Sequence, residues 1–221
     1  MRYDLHIHSK YSSDGVLEPE EIVRFAIKKG LDGIAVTDHN TILGGVRTRE
    51  YETESFEVII GSEVMTERGE ITGLFLSREI KSRDVQGVIA EIKAQGGLVV
   101  IPHPFDGLRH SSFHPSEEDA TFIDAIEGFN SRCFFQRHNK KAVDFALRCG
   151  LAVIGGSDAH FVNEIGTSGI VIDTSDIKAT ILRCDVALFG TKSSLLYHAR
   201  TRLLKTKRRV QGEIVYGTRH Q

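Results

Sequence analysis

Over the first 172 residues, short continuous apolar runs alternate with longer stretches whose apolar residues recur every three or four positions. "YDLHIH" is followed by "EPEEIVRFAIKKG", where Ile22, Phe25 and Ala26 fall at helical spacing. Pro19 stands near the start of that stretch and Gly30 just past its end, the usual bounds of a helix. Then come "DGIAVTDH", a polar helical stretch near residues 41–52, "EVIIGSE", and "ITGLFL" as an extra strand. "SRDVQGVIAEIKAQGG" puts Val85, Val88, Ile89 and Ile92 on one helical face. "LVVIPHP", "IDAIEGFN", a helix near 137–149, "LAVIGGSDAH" and "GIVI" complete the series. Such alternation predicts an α/β fold around a parallel sheet whose strands are buried on both faces. No repeat, low-complexity stretch or linker divides residues 1–190, so one α/β domain is expected there, with a short extension over 191–221.

Polar residues interrupt the pattern just past the apolar run of nearly every strand. His6 and His8 end the first, Asp38 and His39 the second, and Glu63 follows the third. His103 ends "LVVIPHP", Glu127 and Asn130 end "IDAIEGFN", and Asp158 and His160 end "LAVIGGSDAH". Alternate residues of a strand share a face, so Asp4, His6 and His8 point the same way. Buried imidazoles need partners, and two satisfied core histidines would be one solution. In parallel α/β folds, however, all C-terminal strand ends meet at one rim, where active sites are built. Six strand ends sending His, Asp or Glu to that rim point to a multinuclear metal site. Imidazole and carboxylate donors suit zinc, manganese or iron, and a glutamate such as Glu63 can bridge two ions. Arg132, at the same rim, has the planar fork to clamp a phosphate, with Lys10, Arg109 and His110 as weaker candidates. His114, His138, His198 and His220 fall outside the pattern.

Composition and charge add three constraints. Cys133, Cys149 and Cys184 are widely spaced with no C-x-x-C pair, which argues against a disulfide framework or a thiolate zinc site. No apolar run approaches a membrane span and no leader precedes the first strand, so a cytoplasmic protein is expected. The chain's net charge of −2 hides an asymmetry: residues 191–221 hold eight Lys or Arg against one acid, Glu213. In "SSLLYHARTRLLKTKRRV", Leu195, Leu196, Ala199, Leu203 and Val210 recur near helical spacing among Arg200, Arg202, Lys205, Lys207, Arg208 and Arg209. This predicts a basic amphipathic helix docked through its leucines, with its charges free for nucleic acid, secondarily for anionic lipid, or merely solvated.

Six segments, "DLHIHSKYSSDG", "GIAVTDHNT", "GSEV", "IPHP", "IEGFNSR" and "GSDAH", resemble in order and spacing the motifs of the polymerase-and-histidinol-phosphatase (PHP) superfamily of metal-dependent phosphoesterases. The resemblance spans roughly residues 1–172. It implies a distorted, TIM-like (β/α)7 barrel and two or three divalent ions. It further implies that His6, His8, Glu63 and Asp158 hold one ion, and that Glu63 bridges to a second held by His103. Asp14, His39 and His160 would bind a third or act as acid and substrate groups. Some relatives carry a histidine where this chain has Asn130, leaving Asn130 and Glu127 as competing candidates at that strand end. The expected activity is hydrolysis of a phosphate monoester or nucleotide-derived phosphate by metal-activated hydroxide. Arg132 would neutralise the phosphoryl charge, and His160 or Asp14 would assist the leaving oxygen. An exonuclease on short RNA or DNA shares this chemistry, and a non-catalytic scaffold or RNA-binding subunit would share only the fold.

Overall fold

A computed structural model describes residues 1–210, apart from the side chains of Arg209 and Val210; the rest of the basic tail, with Glu213, lies outside the described residues. The apolar runs form strands β1 (Arg2–Ile7), β2 (Gly33–Val36), β3 (Glu57–Thr66), β4 (Gly69–Leu74), β5 (Leu98–Ile101), β6 (Ala125–Asn130), β7 (Ala152–Gly156), β8 (Ser168–Val171) and β9 (Ala187–Gly190). Helices α1 (Pro19–Lys28), α2 (Leu43–Arg49), α3 (Val85–Lys93), α4 (Gln136–Cys149), α5 (Ile177–Leu182) and α6 (Leu195–Val210) lie between or after them. Asp84 caps α3 by accepting from Gly87 N, and Gly150, in the left-handed region, ends α4.

The strands form one sheet in the order β7-β6-β5-β4-β3-β2-β1-β8-β9. The tip of β7 returns to β1: Ile7 bridges Ala159, and His8 N donates to the Ala159 carbonyl at 2.9 Å. The sheet thereby curls into a nearly closed barrel. One apolar cluster draws on every strand from β1 to β8, including Leu5, Ala35, Ile59, Leu74, Val100 and Ile154, and so fills it. Ile177 and Ile181 of α5 join that cluster at its edge. Ile7, Ile34 and Val36 turn the other way, against Ile22 and Ala26 of α1.

An all-parallel sheet is not what forms. β1–β2–β3 and β5–β6–β7 run parallel, but β4 is antiparallel to both of its neighbours, and β8 and β9 are antiparallel additions. The cause is chain length: only Glu67 and Arg68 separate β3 from β4, and a two-residue link can join only an antiparallel pair. Gly69 makes the turn possible, with φ of 121° and the Phe113 backbone nitrogen 2.7 Å from where a Cβ would lie. The mixed directions are what distorts the barrel.

The helix expected in the tail forms, but its faces are reversed from the expectation. Leu196 and Leu203 are 73% and 71% exposed, and Leu195 is half-exposed, while Thr201 is buried. The helix lies across the barrel's mouth, which is polar, so its polar face is the one that finds partners. Among the described residues no helix is long and apolar enough to cross a membrane.

Candidate metal centre

Seven side chains of the strand-end set, joined by Asp14 from the loop after β1, meet at the barrel's mouth. β1 brings His6 and His8, whose Nε2 atoms lie 3.1 Å apart. Glu63, on β3, sits among them: its Oε2 is 3.5 Å from His6 Nε2, 3.4 Å from His8 Nε2 and 3.2 Å from His39 Nδ1. Its other oxygen, Oε1, faces His103 Nε2 at 2.8 Å. Asp158 Oδ1 is 3.4 Å from His8 Nε2. Asp14 Oδ2 lies 2.9 Å from His160 Nε2 and 3.2 Å from His39 Nε2. All except His39, which is partly exposed, are buried. Lys10 is not part of this gathering: it pairs with Glu18 at 2.7 Å on the surface.

The donor chemistry fits divalent ions. Within each of the sets His6–His8–Asp158, His8–His39–Glu63, His8–Asp14–His160 and Glu63–Glu70–His103, one donor atom per residue lies within 4.8 Å of the others. Glu63 turns one oxygen to each of two such sets, which is how a bridging carboxylate is placed. His103 leaves its buried Nδ1 without a partner, so protein groups alone do not satisfy this imidazole.

Glu70 belongs to this constellation although no strand-end motif announces it. It lies 3.4 Å from His39 Nδ1 and 3.5 Å from His103 Nε2. The β3–β4 hairpin pairs Glu63 with Thr72 and Met65 with Glu70, so Glu63 and Glu70 share one face while Val64 and Ile71 share the other. The readable signal was the short "ERG" link, which fixes that register.

Groups behind the donors orient them. Glu127 Oε1 is 2.9 Å from His6 Nδ1, which holds the proton there and turns the Nε2 lone pair toward the site. Its Oε2 accepts from His103 N at 2.7 Å and from Asn130 Nδ2 at 2.9 Å. Asn130 Nδ2 also reaches Asp158 Oδ2 at 3.3 Å, so Glu127 and Asn130 form one supporting layer rather than competing. Gly156 makes room for it: a Cβ there would lie 2.3 Å from His6 Cβ and 2.7 Å from Glu127 Oε1. Asp4 accepts from Ser157 N and Gly166 N, and burial raises its carboxyl to about 6. Asp38 is turned away and accepts from Ser9 N and Oγ. His103 and Asp158 adopt φ of 31° and 57°, a region costing non-glycine residues about 1 kcal/mol or more, so the surrounding bonds hold them there.

The charges are arranged in alternation. Burial opposes ionisation of Glu63, but His6 and His39 outweigh it and hold the carboxyl well below the ordinary range. Asp14 is lowered likewise by His160 and His39, and Asp158 by Arg109 and His6. Burial and the neighbouring His160 press His8 down to about 3, so it stays a neutral, lone-pair-bearing imidazole. Burial raises Glu70, and the nearby Glu63 raises it further.

The cluster opens on a cavity of about 540 Å³. Arg109 Nη2 meets Asp158 Oδ2 at 2.5 Å on one wall. Arg132 is buried rather than free at the rim: Nη1 lies 2.6 Å from His160 Nδ1 and Nη2 donates to Thr201 Oγ1 of α6 at 2.8 Å. His160 Nδ1 is also 2.8 Å from the Asp158 carbonyl. A proton on Nδ1 bonded to that carbonyl leaves the Nε2 lone pair for an ion; Nδ1 accepting from Arg132 puts the proton on Nε2 instead.

Residues 4–160 match the PHP domain. Two uncharacterized proteins of Methanocaldococcus jannaschii are similar over most of their own length. One is 44% identical over 146 residues (59% of this chain, 82% of the relative), the other 34% identical over 184 residues (80% and 73%). A solved two-domain protein from Bacteroides vulgatus, described as containing a predicted PHP-like metal-dependent phosphoesterase, superposes with a TM-score of 0.73 at 21% identity. The likeness, one of fold, covers 86% of this chain and 65% of that one. The barrel, the gathered histidines and carboxylates, and the match across residues 4–160 together make this chain a member of the PHP domain family.

Proposed function

We propose that the protein hydrolyses a phosphate monoester with two or more divalent ions held by His6, His8, Asp14, His39, Glu63, His103, Asp158 and His160. One observation carries this reading: Glu63 presents one oxygen to His8 and His39 and the other to His103, behind a cavity lined by Asp14, His39, Asp158 and His160 and walled by Arg109 and Arg132. Bound there, divalent ions polarise a phosphoryl oxygen and make a water nucleophilic near neutral pH. Glu127 holds His6 with its lone pair forward, and Asn130 spans Glu127 and Asp158. Arg109 neutralises charge developing on the phosphoryl oxygens. Arg132 keeps His160 facing Asp14, and with only two ions loaded, so that His160 carries its proton on Nε2, His160 hands that proton to the leaving oxygen. Water attacks phosphorus, the P–O bond to the alcohol breaks, and alcohol and inorganic phosphate leave. The B. vulgatus likeness agrees with this class of chemistry.

The test is phosphate release from a panel of sugar phosphates, nucleotides and short oligonucleotides, in manganese and in zinc. Release from at least one monoester, abolished in Glu63→Gln, is expected. A fully metal-loaded protein inert toward every compound would overturn the reading.

A further inference from the structure

The helix over the mouth turns toward the cavity the face opposite to its leucines. His198, Thr201, Arg202, Lys205 and Thr206 of α6 all line the cavity, spaced at three and four residues as one helical face requires. Lys205 Nζ reaches Asp14 Oδ2 at 2.8 Å, and Arg208 donates to the backbone carbonyls of Ser12 and Ser13. Tyr197 stacks on Phe161, with ring centroids 5.6 Å apart, and Arg200 lies over the same Phe161 ring. The helix is therefore anchored at several points along its length. Opposite it stand Arg109 and His110 from the loop after β5.

The cation content exceeds what one phosphoryl group needs. Arg109 and Arg132 already attend the ion cluster, while α6 adds Lys205, at the cluster's edge beside Asp14, and Arg202. His198 Nε2 is buried with no partner. Burial and the guanidinium groups of Arg132 and Arg109 lower His198 to about 4, so it stays neutral beside them. Among the described residues no Phe, Tyr or Trp lines the cavity; its rings are the imidazoles of His39, His110, His160 and His198, three of which belong to the ion cluster or sit beside guanidinium groups. Among the same residues the aliphatic lining comes from Met65 and Leu108.

We infer that α6 builds a second anion subsite, in which Arg202 and, at its inner edge, Lys205, with the unpartnered Nε2 of His198 as a hydrogen-bond partner, receive a second phosphate or a carboxylate of a small substrate. The inference rests on the phosphoesterase reading for the scissile phosphate and adds what the rest of the substrate must carry. A small polyanion is favoured over a nucleic-acid strand for two reasons. Among the described residues no Phe, Tyr or Trp lines the cavity, and Arg200 and Arg208 are turned onto Phe161 and the 12–13 carbonyls rather than outward.

The test compares fructose 1,6-bisphosphate with fructose 6-phosphate, which differ by one phosphate. In the manganese-loaded wild type, kcat/KM for the bisphosphate should exceed that for the monophosphate by about tenfold or more. The Arg202→Gln/Lys205→Gln pair should shrink that ratio toward one, acting through KM. Calorimetric binding of the bisphosphate to each protein supplies a readout independent of turnover, and the double variant should bind about tenfold more weakly. Equal kcat/KM for both sugars in the wild type, with equal bisphosphate binding by both proteins, would overturn the subsite alone. Preferential bisphosphate binding with no hydrolysis of either compound would leave the subsite standing and contradict the phosphoesterase reading. A short single-stranded DNA bound more tightly than the bisphosphate, and weakened by the same pair, would overturn the small-molecule assignment.

Discussion

The barrel floor of the site and the helix that roofs it obey opposite rules of polarity. On the floor, histidines and carboxylates ride on strand ends whose lower residues are core, so each polar residue stands out against an apolar run. On the roof, α6 puts Thr201 inside and leaves Leu196 and Leu203 largely exposed. The difference teaches that an amphipathic pattern identifies the face a helix buries only when its neighbour is apolar. A helix laid across a mouth lined by Asp14, Arg132 and His160 is held by ion pairs and hydrogen bonds instead.

The largest effect should come from the centre of the floor. Glu63→Gln removes a charge facing His6, His8, His39 and His103, so elemental analysis should show at least one fewer equivalent of metal per chain than wild type. Full retention of metal would show that Glu63 does not bridge. Where floor meets roof, Arg132→Ala should lower kcat/KM by about 10²-fold, the scale for losing a positioned general acid, because His160 loses the group at its Nδ1. Arg132→Lys should not restore it, because one ammonium cannot span His160 and Thr201 as the fork does. Wild-type kinetics in both variants would reduce Arg132 to packing.

Behind the floor, Glu127→Gln keeps the shape but weakens the hold on His6 Nδ1; metal affinity should fall by roughly 10- to 100-fold in a competition titration with a chelating dye. An unchanged affinity would mean that the backbone alone orients His6. The smallest effect belongs to the roof's outer face. Leu196→Ser with Leu203→Ser should change stability by about 0.5 kcal/mol or less in urea denaturation, whereas Ile154→Ala in the barrel should cost about 2–5 kcal/mol. A loss of the barrel's size from the leucine pair would restore the apolar docking that its spacing suggests.

Much of the floor was legible because strand periodicity is short and the motifs sit at fixed ends. His6, His8, His39, Glu63, His103, Asp158 and His160 could each be assigned to a rim without knowing strand order. Glu70 could not, since its place depends on a hairpin register that an expectation of parallel strands discards. α5 and β9 went unread for a different reason. α5 has six residues, too few for its Ile177–Ile181 pair to read as a helical period, and every position of β9 is exposed or only partly buried. His198 carried no motif, because its role depends on where α6 lies, and Lys10 looked free only while its partner Glu18 was unknown.

The central claim is that the strand ends form one polynuclear metal centre. Its most direct test is elemental analysis of protein loaded with manganese and dialysed against metal-free buffer. Two or more equivalents per chain in wild type, reduced in Glu63→Gln, is the predicted result; less than one equivalent in wild type would contradict the account.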